Sequence, residues 1–432
     1  MRRRPVRPKP LTPEGVSSDV VRQCQICHSP NLEKILFLGY LPLVNTLARI
    51  GELPHEEPYY PALLLSCPMC HLVQLGLIID PTIVFPKEYP YTSGTTKILR
   101  DNFVELSREC RSLIVLRKDD LLIDIGSNDG TLLSNFVSSN RVYGITPENI
   151  GYSAIERGIP TCIAYFNTKV TEQILDQNGP AKVITATNVL AHIDHVHDVI
   201  RNILKILDRD GAFISESHYF PSLIQTLQYD AIYHEHLRYY SLTSLKHLFD
   251  QHGLEIFHAK RIPTHGGSIR VYAARTGMYP VQDGVLRIFE DEKDQIFKKE
   301  FFIDFKNNVL LSKLELHSLL LNLKRRKKRI VGIGAPSRAT TLINYAGLDE
   351  EILDYVVEIK GSNKIGHYVP GTLIPIVEET RIYTDQPDYA LLLSWHIAEE
   401  LAPKIKGQGF KGDYIIPLPC PRILENTKVK SI

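Results

Sequence analysis

The stretch LLIDIGSNDGTLL, Leu121 to Leu133, decides how the rest of the chain is read. Leu121, Leu122, Ile123 and Ile125 make a short, nearly continuous apolar run, the pattern of a strand buried on both faces. Asp124 stands where that strand closes. Gly126 and Gly130 then allow a turn whose backbone can approach a ligand without Cβ clashes. A helix is expected behind the turn, and its N-terminus would favour a carboxylate or phosphate. The spacing is D-x-G-x-x-x-G, not the G-x-G-x-x-G of dinucleotide folds, so on this stretch alone a Rossmann-like turn without a ligand stays open.

Working outward, RVYGIT (Arg141–Thr146), KVITAT (Lys182–Thr187) and GAFISES (Gly211–Ser217) have the same look of buried parallel strands. The stretches between them are long enough for crossover helices, which predicts a doubly wound α/β sheet over residues 86–280. Upstream, residues 1–20 read as a tail and 21–85 as a compact, turn-rich segment. Downstream, Val285, Ile288, Phe289, Ile296, Phe297, Phe301, Phe302, Phe305, Val309 and Leu310 fall at helical spacing, so 281–328 reads as a helical connector. It ends in KRRKKR (Lys324–Arg329), cations that suit a solvated helix C-terminus. A second glycine turn, in RIVGIGAPSRATTLIN (Arg329–Asn344), opens a C-terminal α/β unit over 329–425.

Composition narrows the function classes. The 432 residues carry 50 Lys and Arg against 49 Asp and Glu, a net charge of +1 that makes no case for nucleic acid. No run approaches 20 apolar residues, so no membrane partner is expected. The basic start MRRRPVRPKPLTPEG lacks the apolar segment of an export signal, and the chain reads as cytoplasmic. There disulfides are rare and clustered cysteines favour metal. Four of the seven cysteines form two C-x-x-C turns, Cys24 with Cys27 and Cys67 with Cys70. Two such turns supply the four sulfurs of a closed, structural zinc site. His28 and His71 follow them, giving C-x-x-C-H twice, the haem-attachment pattern; zinc is the expectation because that attachment follows export. Bare thiol pairs are the third reading. Cys110, Cys162 and Cys420 read as small buried hydrophobes.

The segment IYHEH, Ile232–His236, concentrates proton-handling groups. Histidine is a natural base near neutrality, Tyr or a second His can hydrogen-bond an oxyanion, and Glu can orient an imidazole. On a strand Glu235 would face away from His234 and His236; on a loop the three could converge. His192, in TNVLAHI (Thr187–Ile193), follows a strand at the sheet edge where α/β ligands bind. THGGSIR (Thr264–Arg270) and the second glycine turn could expose N–H groups and arginines to a diphosphate; a plain bulge or hairpin is an equal reading of the former.

Nine words occur along residues 20 to about 400: FLGYLPLVNTL beside the first cysteine pair, YPALLLSCPMCHLVQL, EYPYTSGTT, DIGSNDGTLL, TNVLAHI, IYHEHLRYYSL, THGGSIRVY, GIGAPSRATTLIN and KIGHYVPGTLIPI. In this order they resemble the NDP-sugar C-methyltransferases of deoxysugar biosynthesis. The resemblance implies an N-terminal zinc domain, a central class I S-adenosylmethionine (AdoMet) methyltransferase domain and a C-terminal α/β domain for the nucleotide sugar. It implies AdoMet-dependent methylation of the carbon beside the ketone of an NDP-4-keto-6-deoxyhexose, most often C3. His236 would be the base, with Tyr233 and Glu235 beside it, His192 would stabilise the enolate, and Tyr89 and Tyr91 would cap the pocket. Asp124, Gly126, Asn128, Asp129, Gly130 and Asn188 would line the cofactor. Thr146 stands where the family has its ribose-binding acid, and Glu148, two residues on, would substitute. His265, Gly266, Gly267, Arg270 and Arg338 would meet the substrate's diphosphate. The alternative is an NAD-dependent nucleotide-sugar oxidoreductase built on Gly332 and Gly334, with Glu358 at ribose distance.

Overall fold

The structure, a computed structural model, describes residues 18–53, 57–85, 92–296 and 298–429. Its N-terminal strands are β1 (Ser18–Val20), β2 (Glu33–Pro42), β3 (Tyr59–Ser66), β4 (Val73–Leu75) and β5 (Leu77–Ile79). β1 pairs antiparallel with β5, so residues 18–20 of the stretch expected as tail form a strand. β2, β3 and β4 form an antiparallel sheet.

The expected doubly wound sheet follows. It contains β6 (Leu121–Ile125), β7 (Arg141–Thr146), β8 (Thr161–Ile163), β9 (Ala181–Thr187) and β10 (Leu207–His218). β11 (Arg238–Tyr239) leaves this domain to pair with β4, and β12 (Leu254–Ile262) and β13 (Ser268–Arg275) complete the large sheet. The order is β12-β13-β10-β9-β6-β7-β8. β6 to β10 are parallel, and β13 lies antiparallel between β10 and β12. Side-chain alternation along β6 assigns its two faces. Leu122 packs with Phe103, Leu106 and Cys110 of the helix Lys97–Leu113. Leu121, Ile123 and Ile125 pack with Val199, Ile200 and Ile203 of the helix Val196–Ile206. Within the parallel part, β10-β9-β6-β7-β8, β6 is the middle strand, and its neighbours on the two sides are β7 and β9, the topological switch point at which α/β sheets bind ligands.

No α-helix starts behind the first glycine turn; a single 3-10 turn, Leu133–Asn135, stands there. The cause is local chemistry. Ser134 Oγ and Asn135 Nδ2 donate to the Thr131 carbonyl at 2.7 and 3.0 Å, and Ser139 Oγ donates to Phe136, offering the backbone alternatives to a helix.

The connector is a helix pair, Asp283–Lys293 and Lys299–Arg325. The C-terminal sheet contains β14 (Ile330–Ile333), β15 (Val356–Glu358), β16 (Ile376–Glu378), β17 (Tyr389–Leu392), β18 (Asp413–Ile416) and β19 (Arg422–Leu424), in the order β16-β15-β14-β17-β18-β19. All are parallel except β19. One core runs from Ile35 and Leu64 of the N-terminal sheet through Phe305 and Leu316 of the long helix to Val331 and Leu391. A second joins the cysteine turns to the large sheet. The N-terminal unit is therefore wedged between the other two. Of the lone cysteines, Cys110 is buried as expected, Cys162 is half-buried, and Cys420 is exposed because it lies in the loop before edge strand β19. No helix among the described residues is long and apolar enough to cross a membrane.

Candidate active site

The four cysteine sulfurs lie within 4.8 Å of one another, and three of the four residues are buried. Cys24 Sγ is 3.4 Å from Cys70 Sγ, and Cys27 Sγ is 3.4 Å from Cys67 Sγ. A tetrahedron with Zn–S bonds of about 2.3 Å has S–S edges of about 3.8 Å, so the set fits zinc with little adjustment. The two turns converge on one point, which is incompatible with each pair binding its own haem. His28 and His71 have φ of 57° and 56°, the left-handed geometry the turn requires after each pair. Each donates its backbone N–H to the carbonyl of the pair's first cysteine, at 3.0 and 2.9 Å. Arg238, 1% exposed, locks this segment to the large sheet. Its guanidinium donates to Gln25 Oε1 at 2.5 Å and to the Leu190 carbonyl at 2.9 Å.

At the carboxyl edge of the sheet, Gly126 has φ 73°, and a Cβ there would stand 2.3 Å from Val189. Asp124 does not reach the open edge. It is buried beneath the turn, accepts from Thr185 Oγ1 at 2.6 Å, and burial pushes its carboxyl up to about 7. Asn128 and Asp129 were expected to touch a cofactor directly, but they accept from the backbone N–H groups of Ser93 and Gly94 at 2.9 and 3.2 Å. They thereby close that segment over the turn. Ser127 Oγ and Asn188 Oδ1 are buried with no hydrogen-bond partner among the described residues, and both follow strand ends at this edge. Glu148 follows β7, and its carboxylate is held by the Thr146 hydroxyl. The residue that replaces the expected acid thus steadies the acid that substitutes for it. Tyr89 and Tyr91 lie outside the described residues.

IYHEH is a turn, with His236 N–H donating to the Tyr233 carbonyl at 3.0 Å, and its side chains diverge. His234 leaves the site: its ring is 5.7 Å from that of Tyr60, and Nε2 lies 3.4 Å from the Pro61 carbonyl. Glu235 accepts from Asn45 Nδ2, tying the N-terminal unit to the turn. His236 enters a cluster of rings. Tyr233 is 4.2 Å away by centroid, and His192 and His218 are each 4.9 Å away. His265 continues the chain 5.4 Å beyond His218, with its Nε2 3.4 Å from Asn188 Nδ2. His236 Nδ1 is 2.8 Å from the Ala231 carbonyl. A carbonyl only accepts, so Nδ1 carries the proton and Nε2 keeps its lone pair. His192 Nδ1 is buried without a partner among the described residues. Desolvation is the largest cause that holds every imidazole here low. His192 and His265 are lowered to about 4, and His236 and His218 fall well below the ordinary value.

The two arginines expected at a diphosphate are both engaged by carboxylates. Arg270 is fully buried, donating to Glu216 at 2.6 Å, Glu109 at 2.6 Å and Glu105, so it pins the helix Lys97–Leu113 to β10. Arg338 pairs with both oxygens of Asp230 at 2.8 and 2.6 Å and lies 5.2 Å over the Trp395 ring. Gly266 and Gly267 offer no open phosphate cradle, because a Cβ on them would stand 2.5 Å from Gln228 and 2.6 Å from Ser222. Close packing explains both glycines, while His265 of the same turn does join the site. At the second glycine turn, Glu358 accepts from Ala335 and Ile359 N–H at 2.6 and 2.9 Å. Its carboxylate closes its own turn, and the dinucleotide alternative gains no support from it. Sequence reasoning missed His218, whose place at the end of β10 was the available signal. It also missed Lys364, whose ammonium donates to the Ala335 carbonyl at 2.8 Å and is lowered by burial.

Three family models match consecutive parts of the chain: a zinc binding domain over residues 24–85, a methyltransferase domain over 96–259 and a C-methyltransferase C-terminal domain over 263–419. C-methyltransferase NovU of Streptomyces niveus is 30% identical over 414 residues, covering 94% of this chain and 98% of that protein. The chain belongs to the AdoMet-dependent C-methyltransferase family. Solved structures similar to part of this C-methyltransferase include magnesium protoporphyrin IX methyltransferase from Synechocystis, at 15% identity, 41% of this chain, 78% of that chain and a TM-score of 0.30. Another is an S-adenosylmethionine-dependent methyltransferase from Clostridium acetobutylicum, at 13% identity, 42% and 94% coverage and a TM-score of 0.32. The cofactors of this C-methyltransferase are AdoMet and, at the four-cysteine cluster, zinc.

The imidazole cluster makes the C-methyltransferase acid-labile. His192, His218, His234, His236 and His265 are all held below the ordinary histidine value of 6.5. In the unfolded chain they take up protons as pH falls through about 6.5, whereas in the folded chain His192, His234 and His265 resist until about 4, and His218 and His236 are likewise held well below the ordinary value. Stability is therefore complete above that window and drops across it, by at most about 1.4 kcal/mol per pH unit for each ring. Asp124, raised to about 7, and Glu216 and Glu292, also raised by burial, work in the opposite direction, but they are three against these five imidazoles. The urea midpoint is expected to be flat above pH 7 and to fall steeply between pH 6.5 and 5. A midpoint unchanged over that interval would contradict this account.

Proposed function

We propose that the chain methylates the carbon beside the ketone of a nucleotide-linked 4-keto-6-deoxyhexose, at C3, with His236 as the base. The His236 tautomer is the observation that carries this reading: Ala231 holds Nδ1–H, leaving Nε2 as the proton acceptor inside a water-poor cluster. The ketone acidifies the neighbouring C–H bond by accepting the electron pair as an enolate. The depressed imidazole stays neutral before substrate arrives, and the enolate formed beside it offsets the cost of its positive charge. His192, whose buried Nδ1 has no partner among the described residues, would meet the enolate oxygen once that nitrogen carries a proton. Ser127, Asn188 and Glu148 would hold AdoMet, the first two through orphaned polar atoms and the third through the ribose hydroxyls. Bound AdoMet supplies an electrophilic sulfonium methyl. The full-length similarity to a C-methyltransferase supports carbon as the methyl acceptor.

The test combines AdoMet with dTDP-4-keto-6-deoxyhexoses in deuterated water. C3 of recovered substrate should gain solvent deuterium, and product should carry a methyl at that carbon. Neither outcome across several nucleotide sugars would overturn the sugar assignment.

A further inference from the structure

A proton taken up by His236 has to leave before the base can serve again. The ring is 4% exposed, and its Nδ1–H is committed to the Ala231 carbonyl, so departure is from Nε2. Four rings surround it: Tyr233, Tyr239, His192 and His218. A phenol ionises only near about 10, so at neutral pH it already holds its proton and takes up no second one. That leaves the two imidazoles, each 4.9 Å away by centroid. They lead to different places. His192 borders Phe85, 5.6 Å away, a ring that neither accepts nor donates a proton. His218 borders His265, 5.4 Å away, whose Nε2 lies 3.4 Å from Asn188 Nδ2. His236 is buried, whereas His218 and His265 are half-buried, so this row of rings runs from the base toward solvent.

Strand pairing builds the row. His218 is the last residue of β10 and pairs with Ser268, the first residue of β13. The turn before Ser268 therefore folds back over His218, held by Tyr219 N–H donating to the Gly267 carbonyl at 3.1 Å. His265 in that turn has φ 54°, a sparsely populated conformation that persists only where its surroundings fix it. Burial, with His236, His265, Arg338 and His192 nearby, holds His218 well below the ordinary histidine value. Burial holds His236 low in the same way, so the two rings are matched and neither traps a proton.

We infer that His218 relays the proton from His236 to His265 and on to solvent. This rests on the reading of His236 as the base. The substrate C–H bond breaks, its electron pair stays as the enolate, and the proton bonds to His236 Nε2. That N–H bond breaks as one nitrogen of His218 takes the proton, directly or through one water. The proton on the other nitrogen of His218 passes to His265 and from there to water. The enolate pair goes into the new C–C bond, and all three imidazoles end neutral.

The test separates removal of the proton from its loss. With S-adenosylhomocysteine in place of AdoMet, a dTDP-4-keto-6-deoxyhexose in deuterated water should exchange its C3 hydrogen without being methylated. In His218→Asn the abstracted proton should return to C3. Exchange should then fall by about tenfold or more relative to single-turnover methyl transfer, and added imidazole should restore it. His218→Gln, closer to histidine in length, should behave alike. A ring needed only for packing would lower both rates together and gain nothing from imidazole. That result, or exchange as fast as in the unaltered chain, overturns the relay alone. An unaltered chain that neither exchanges nor methylates overturns the sugar reading, and the relay falls with it.

Discussion

Replacing His236 by alanine is expected to lower the rate of methyl transfer by about 10²- to 10⁴-fold, the contribution of a positioned general base, while AdoMet binding is unchanged. The two effects separate because of where the ring sits. His236 touches Tyr233, His192 and His218, whereas the candidate cofactor groups Ser127, Asn188 and Glu148 lie at the ends of other strands. Single-turnover methyl transfer from labelled AdoMet measures the first quantity and calorimetry the second. The substitution leaves an imidazole-shaped space, so added imidazole should restore part of the rate in proportion to its unprotonated fraction. A ring needed only for packing would show the opposite pattern: a lower melting temperature, no rescue by imidazole, and a rate per folded molecule close to that of the unaltered enzyme. His234→Ala is the internal control. It belongs to the same five-residue segment and is as deeply buried, but its ring lies against Tyr60, so its loss should cost stability with little change in the chemical step.

That contrast between two histidines marks the boundary of what the chain itself discloses. The buried strands were readable because parallel strands covered on both faces have near-continuous apolar runs, as in LLIDI and KVITAT. The four-cysteine cluster was readable because the metal demands a fixed ligand count and spacing. The helix pair over 283–325 followed from its periodicity. Direction within a turn has no such period. Nothing in IYHEH says that His234 goes to Pro61, Glu235 to Asn45 and His236 to Ala231, since each destination is set by a different unit of the fold. The partners of the arginines were hidden for a related reason. Arg270 and Arg338 sit in glycine-rich words that suggest phosphate, but their carboxylate partners Glu105, Glu109, Glu216 and Asp230 come from 54 to 165 residues away. A buried guanidinium takes whichever carboxylate the topology delivers, and topology is not a local property of sequence. The absent helix behind the first glycine turn was the one miss with a local cause: TLLSNFVSSN is rich in side chains that compete for backbone hydrogen bonds.

Stripping zinc is expected to disorder the N-terminal unit and to abolish catalysis along with it. Structural zinc sites contribute on the order of 10–16 kcal/mol of binding free energy, comparable with the whole folding stability of a domain, about 5–15 kcal/mol. The cysteines join the same buried core as Leu72, Ile200 and Tyr240, where four thiolates without a cation would repel one another in a poorly solvated space. Loss of the metal should therefore propagate along three connections. Arg238 would lose Gln25, its link to the first cysteine turn. β4 would release β11, which begins two residues after His236. Asn45 would no longer hold Glu235. Metal analysis should find one zinc per chain, and chelator with mild urea, or Cys67→Ser, should lower the melting temperature and the methyl-transfer rate together. The residual central domain should retain more of its AdoMet affinity than of its activity, because Ser127, Asn188 and Glu148 rest on the large sheet, whereas the His236 turn rests on the zinc-held strands. A zinc-free chain that melts at the same temperature and turns over at the same rate would mean that the cysteines are only well-packed thiols. Activity lost at unchanged melting temperature would move the metal from a structural role into the chemistry.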